Sequence, residues 1–225
     1  MTTPRWYTAL QQAVAQHSNS SLFQLATVDD AGKPCIRSLI HRAFLVPPSR
    51  PAFPIFVTST DIRSAKVRQI AHADTVELVW WINATLDQFR ISGLARVFAS
   101  PQRSIPHTAV ECGGINALEM SGVDWEAKRR ELFDAVSEEM RASWCRPAGM
   151  PLKVGEENDW PTTVPKPNEA KTDREKELAE LALSNYAIIA IDPLRVDWVQ
   201  LGTKPYQRTF FNRTEDGWSE EAIVP

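Results

Sequence analysis

The sequence predicts a mainly β, antiparallel fold with flanking helices, an α+β chain forming a closed or split β-barrel rather than a doubly wound sheet. Its grounds are about eight short runs rich in β-branched and aromatic residues, tight turn chemistry between neighbouring runs, and helical patterns inserted among them. No G-x-G-x-x-G follows a strand and no G-x-x-x-x-G-K-[ST] occurs, so the marks of a doubly wound nucleotide-binding sheet are missing.

The first element is a short helix over Pro4 to Gln16, with proline near its start and Trp6, Leu10, Ala13 and Val14 on one side, placed to pack across a barrel end. A hairpin follows from Leu22 to Phe44. Leu22, Gln24, Ala26 and Val28 alternate with Phe23, Leu25 and Thr27, and the stretch from Asp29 to Pro34 supplies the turn. The return strand puts Ile36, Ser38, Ile40 and Arg42 on one face and Arg37, Leu39 and His41 on the other. Its cations fit two readings, edge charges that block sheet-to-sheet pairing or part of an anion site. Arg37 and Arg42 lie on opposite faces of a regular strand, so one compact site requires a bulge, a strand end or a second subunit.

Residues 54 to 58 read as a buried strand, with Val57 and Thr58 at its end. From Ser59 the period changes to that of a helix, capped by Thr60 or Asp61, with Ala65, Val67 and Ile70 facing inward. Its first turn offers unpaired backbone N–H groups beside Arg63, Ser64 and Lys66, an arrangement that suits a phosphate but also occurs on plain solvated helices. Thr75 to Asn83 and Phe89 to Ala99 are two further strands, with Gln88, Arg90 and Ser92 on a polar face. The signal is weak from Ser100 to Gly122. A helix over Trp125 to Arg141 carries Leu132, Phe133, Val136 and Met140 as its apolar stripe.

Residues 143–170, rich in proline, form an irregular excursion of a single 1–225 domain, read as a lid or a dimer arm. A helix over Glu169 to Ser184 follows, then strands over Tyr186 to Asp192, Arg195 to Leu201 and Tyr206 to Arg213, with turns at Gly202 to Pro205 and at Glu215 to Gly217. Trp81, Trp144, Trp160 and Trp198 stand among polar neighbours, as at a rim or cleft.

With 225 residues, 43% hydrophobic and 24% charged, the chain has the composition of an ordinary globular protein. A net charge of -3 argues against a surface built for nucleic acid. The three cysteines (Cys35, Cys112, Cys145) are widely spaced and support neither a disulfide framework nor a metal site. No apolar run is long enough to cross a bilayer and the first residues lack a signal-peptide core, so the expected location is the cytoplasm.

The segments FQLATVDDAGKPCIRSLIHRAF, IFVTSTDIRSAKVRQI, LDQFRISGLARV and VDWVQLGTKPYQRTFFNRTEDGW, in this order, resemble the pyridoxamine 5′-phosphate oxidase-like family of FMN-binding split-barrel proteins, in its divergent branch. The resemblance implies FMN bound between the two subunits of a homodimer. The positions that match its cofactor contacts are Arg37, Arg42, Val57, Thr58, Ser64, Lys66, Gln88, Trp198 and Arg208. It implies an FMN-dependent oxidoreductase with a small-molecule substrate or reductant, and no catalytic residue is singled out. Two positions depart from the pattern. Ala65 stands where an arginine is usual, with Arg63 as a stand-in, and Lys204-Pro205-Tyr206 replaces the Arg-x-His that holds the oxidases' substrate. Lys204 and Tyr206 are therefore the candidate substrate contacts. The alternatives are a flavin-binding sensor or carrier without turnover, and a genuine pyridoxamine 5′-phosphate oxidase.

Overall fold

The computed structural model describes residues 2–17, 19–103, 105, 113–148 and 160–225. Eight strands form one antiparallel sheet: β1 (Leu22–Val28), β2 (Pro34–Leu45), β3 (Ile55–Asp61), β4 (Thr75–Ile82), β5 (Asp87–Phe98), β6 (Tyr186–Gln200), β7 (Gln207–Arg213) and β8 (Trp218–Ile223). Their order is β3-β2-β1-β4-β5-β6-β7-β8, and β3 also pairs with β6, so the six strands from β3 to β6 close into a barrel. Closure leaves β7 and β8 as an extension beyond it.

The strand β6 makes this geometry possible. Its first half pairs with β3 from Tyr186 to Ile191, and its second half pairs with β7 from Arg195 to Gln200. The change of partner falls at a bulge, where Ser92 faces Arg195 but Gly93 faces Pro193, leaving Leu194 as the extra residue. Gly93 is required there, because a β-carbon on it would sit 2.6 Å from the Asp192 carbonyl oxygen. The two strands expected over 186–192 and 195–201 are thus one strand with a kink, and the eighth strand is β8.

The barrel interior holds Phe23, Leu25, Phe56, Leu78, Trp80, Phe89, Ile91, Val196 and Trp198. Helix α1 (Arg5–Gln16) adds Trp6, Tyr7, Leu10 and Ala13 to this core. Helix α2 (Ala65–His72) packs on β1 and β5 through its buried face, Val67, Gln69 and Ile70. Ala65 is exposed there, contrary to the inward position expected for it.

A second core lies on the outer side of β3 and β6. Ile55, Val57, Ile188 and Ala190 meet residues of four helices: α3 (Gly113–Met120), α4 (Trp125–Asp134), α5 (Glu138–Ser143) and α6 (Asp173–Asn185). The expected single helix over 125–141 is two, because Ser137 breaks it by capping α5 through Met140 N. Met140 is exposed, not core. Helix α6 begins later than expected, at a Thr172–Glu175 capping box. Helix α3 had no clear sequence signal. It starts on Gly113-Gly114, where the Gly114 N–H donates to Asp192 at 2.8 Å. Part of the proline-rich excursion, residues 149–159, lies outside the described residues. Beyond it, Val164 is buried in the second core and its carbonyl accepts from Arg141 at 2.8 Å.

Candidate functional site: a cation pocket at the start of α2 and an amide–guanidinium row on the outer sheet

The cation pocket is built by β1, β2, β3 and α2. Arg37 lies opposite Leu25, on the core-facing side of the hairpin. Its guanidinium donates to Leu25 O at 3.1 Å, Thr27 Oγ1 at 2.7 Å and Gln69 Oε1 at 2.9 Å. Lys66 Nζ donates to Thr60 Oγ1 and Ser64 Oγ, each at 3.1 Å. Ser64, rather than Thr60 or Asp61, is the N-cap of α2, and its side chain bonds no helix N–H. The Ala65 and Lys66 N–H groups at the start of α2 are thus not taken by a side-chain cap, while the Val67 N–H bonds the Ser64 carbonyl at 3.1 Å.

Among the described residues, neither Arg37 nor Lys66 has a carboxylate within ion-pair distance. Burial pulls the Lys66 ammonium below the usual lysine value, and the nearby Arg37 charge lowers it further, against a smaller opposing effect of Asp61. A guanidinium has five N–H donors and an ammonium three. With three used by Arg37 and two by Lys66, both retain donors for a ligand. The residues present fit a phosphate dianion: two uncompensated cations, two hydroxyls and a helix N-terminus. Arg63 does not join them. Its guanidinium is forked onto the Asp61 carboxylate at 2.9 and 2.6 Å and reaches Trp144 O at 3.2 Å.

Arg42 occupies a bulge, because His41 faces Thr58 while Ala43 faces Val57. The bulge leaves it apart from the Arg37 cluster, with its Nε donating to Ser59 Oγ at 3.0 Å. Val57 is buried in the second core, and Thr58 donates to Ile40 O at 2.7 Å. Both sit in the middle of β3, not at a strand end, since the strand continues to Asp61.

The second group lies on the outer face of the sheet. Val199 has Gln88 opposite it on one side and Arg208 on the other, so the amide and the guanidinium share a face two strands apart, about 10 Å between backbones. Trp81, 37% exposed, extends this row beside Gln88. Trp198 points the other way. It is 5% exposed, stacks on Phe89 at 5.2 Å, and donates to Asp87 at 3.0 Å. Trp144 is likewise buried, so of the tryptophans expected at a rim Trp81 is the exposed one and Trp160 the half-buried one. Lys204 and Tyr206 are exposed in the connection between β6 and β7.

Sequence reasoning missed Thr60 and Gln69, which hold Lys66 and Arg37, and Arg90 and Asp197, which hold Gln88 and Arg208. Strand alternation placed Arg90 beside Gln88, a usable signal. Asp197 and Arg208 lie diagonally across the β6–β7 hairpin, Asp197 opposite Phe210 and Arg208 opposite Val199, so their pairing depends on the register of that hairpin.

The described residues thus form a closed antiparallel barrel with a pair of cations beside the start of α2 and a polar row on its outer sheet. Residues 3–99 match the family model described as "Pyridoxamine 5′-phosphate oxidase, FMN-binding domain". This stretch contains the whole cation pocket. Over that stretch the chain is similar to FMN-binding domains of this kind, which supports FMN as its cofactor. It is 23% identical over 223 residues to the Arabidopsis thaliana protein named pyridoxine/pyridoxamine 5′-phosphate oxidase 2, covering 95% of this chain and 92% of that one. The fold is that of a pyridoxamine 5′-phosphate oxidase-related, FMN-binding protein from Nostoc punctiforme, with a TM-score of 0.68, 24% identity and full coverage of both chains. PhzG from Burkholderia lata, solved with tetrahydrophenazine-1-carboxylic acid, shares the fold at a TM-score of 0.58 and 15% identity, covering 98% of this chain and 89% of that one. Among the described residues no helix is long and apolar enough to cross a membrane, and no cluster of metal-ligating side chains occurs.

Proposed function

We propose that this protein is an FMN-dependent oxidoreductase acting on a small molecule in the cytoplasm, as a homodimer with FMN between its subunits. The observation that carries the reading is the pair of cations beside α2, Arg37 and Lys66, which among the described residues have no carboxylate within ion-pair distance. They would hold the cofactor phosphate, with the Ser64 and Thr60 hydroxyls completing the cradle. FMN, when bound, supplies the hydride chemistry; the protein binds, orients and shields it. Gln88 and Arg208 would address the polar edge of the ring.

What supports the dimer is that the two groups lie on opposite faces of one sheet. Arg37 faces the core side with Leu25, whereas Gln88 and Arg208 lie on the outer face. A second copy would bring the outer row of one subunit to the cation pocket of the other. Exposed Leu22, Ile36 and Trp81 support burial of that outer face, and an obligate interface of this kind covers upward of ~2,000 Å². Sedimentation at micromolar concentration is the test, and a monomer that still binds FMN would remove the dimer from this reading.

The absorbance spectrum of the purified protein, followed by anaerobic reduction with NADH and with NADPH, tests the enzyme. Bleaching by either supports an oxidoreductase, whereas a yellow protein that neither bleaches points to the carrier. The named activity of the Arabidopsis relative favours a second reading, oxidation of pyridoxamine 5′-phosphate itself. Against it, Lys204 and Tyr206 stand where the oxidases carry Arg-x-His. An ammonium offers a point charge in place of a bidentate fork.

A further inference from the structure

Gln88 and Arg208 are tied to each other through two residues with no assigned role. Gln88 Oε1 accepts from Arg90 Nε at 2.7 Å, and Arg90 reaches Asp197 Oδ2 at 3.5 Å. Asp197 in turn takes a two-pronged bond from Arg208, Nε to Oδ1 and Nη2 to Oδ2, each at 3.0 Å. Asp197 sits on the outer face of β6 yet is only 7% exposed, because the two arginines cover it. A carboxylate so placed fixes the geometry of a fork far more tightly than an exposed pair would.

We propose that Asp197 is the positioning residue of the ring half of the site, setting which donors are presented to FMN and how much positive charge accompanies them. This inference rests on the FMN reading above. Because Gln88 uses its carbonyl on Arg90, its amide nitrogen is the end turned to a ligand. Because Arg208 spends its Nε–H and one Nη2–H on Asp197, the two Nη1–H donors and the second Nη2–H are what it offers. Two guanidinium charges and one carboxylate leave the relay with a net charge of +1. The reduced ring carries more negative charge than the oxidised one, so the charge of the relay sets part of the flavin potential.

The substitutions Asp197→Asn and Arg90→Met change that charge in opposite directions without touching the phosphate pocket. Asp197→Asn should raise the midpoint potential of bound FMN. A tenfold shift in favour of the reduced form corresponds to about 30 mV for a two-electron couple. Arg90→Met should lower it, and Asp197→Glu should stay close to the parent. The ratio of FMN to riboflavin affinity should be unchanged in all three. A purely structural role would move both variants the same way or neither, and either result overturns the proposal. Arg90 is half exposed, so Arg90→Met decides by the sign of its shift even where Asp197→Asn does not fold. Should the parent protein bind no FMN, the underlying reading fails too; FMN binding with unmoved potentials sinks this inference alone.

Discussion

The Arg37 guanidinium donates to Gln69 Oε1 at 2.9 Å, joining the second strand of the hairpin to a buried residue of α2. Thr27 Oγ1 donates to the same oxygen at 2.6 Å, so one amide aligns both groups. Gln69→Met should leave two donors, the Thr27 hydroxyl and one Arg37 N–H, without that acceptor, at a cost of about 1–3 kcal/mol in stability. It should also weaken FMN by loosening Arg37. Urea unfolding and FMN titration read the two effects separately, and a variant as stable as the parent would show that Gln69 only fills space.

Lys66→Ala should weaken FMN binding by roughly one to two orders of magnitude, the worth of a charge-assisted hydrogen bond of about 1.5–3 kcal/mol. Riboflavin, which lacks the phosphate, should be affected far less. Fluorescence titration with both ligands gives the ratio. Equal loss for the two would remove Lys66 from the phosphate.

His41 is buried beside Phe44 and Trp80 with its Nδ1 unpartnered. Burial, and then the Arg42 charge, lowers its pKa from 6.5 to about 3. The unfolded chain therefore binds a proton that the folded chain refuses. Its contribution is fully present above pH 6.5 and is lost progressively as pH falls toward 3, by an amount on the order of a few kcal/mol. His41→Phe should flatten the acid limb of a stability–pH curve between pH ~7 and ~4. Parallel curves for parent and variant would refute this.

Gly114→Ala should destabilise the fold by about 1–3 kcal/mol, the usual cost of overpacking. An added β-carbon would lie 2.7 Å from Ile55 Cδ1, 2.9 Å from Asp192 Oδ1 and 3.0 Å from Phe53 O. The same carboxylate pairs with Arg213, so the clash loosens the junction of α3, β6 and β7. A thermal midpoint equal to that of the parent would mean that α3 shifts freely.

Pyridoxamine 5′-phosphate should be a poor substrate of the FMN-loaded protein. Replacing a bidentate guanidinium by Lys204 removes one charge-assisted bond, about 1.5–3 kcal/mol or one to two orders of magnitude in substrate capture. The Lys204→Arg, Tyr206→His double variant should gain activity in a steady-state assay. Catalytic efficiency in the ordinary enzyme range for the parent would sink the idea.

The sequence by itself determined the elements whose cause is local. The period-2 alternation of Leu22–Val28, the turn at Asp29–Pro34, the helix over Arg5–Gln16 and the change of period before α2 each depend on residues a few positions apart. The same locality set Ser64 and Lys66 side by side at the start of α2, whereas the bulge at Arg42 turns that side chain to Ser59, where among the described residues it shares no hydrogen-bond partner with Arg37. Register between distant strands decided the rest. Whether Trp198 or Val199 faces outward is a parity set by pairing with Phe89 and Gln88, more than a hundred residues away in sequence, and a one-residue slip would exchange them. The partner change along β6 and the burial of Trp198 follow from pairing between distant strands, whereas the Asp197–Arg208 fork follows from the β6–β7 hairpin register. Alternation says that two sets of side chains lie on opposite faces of a strand. Only the closed barrel decides which set meets the core.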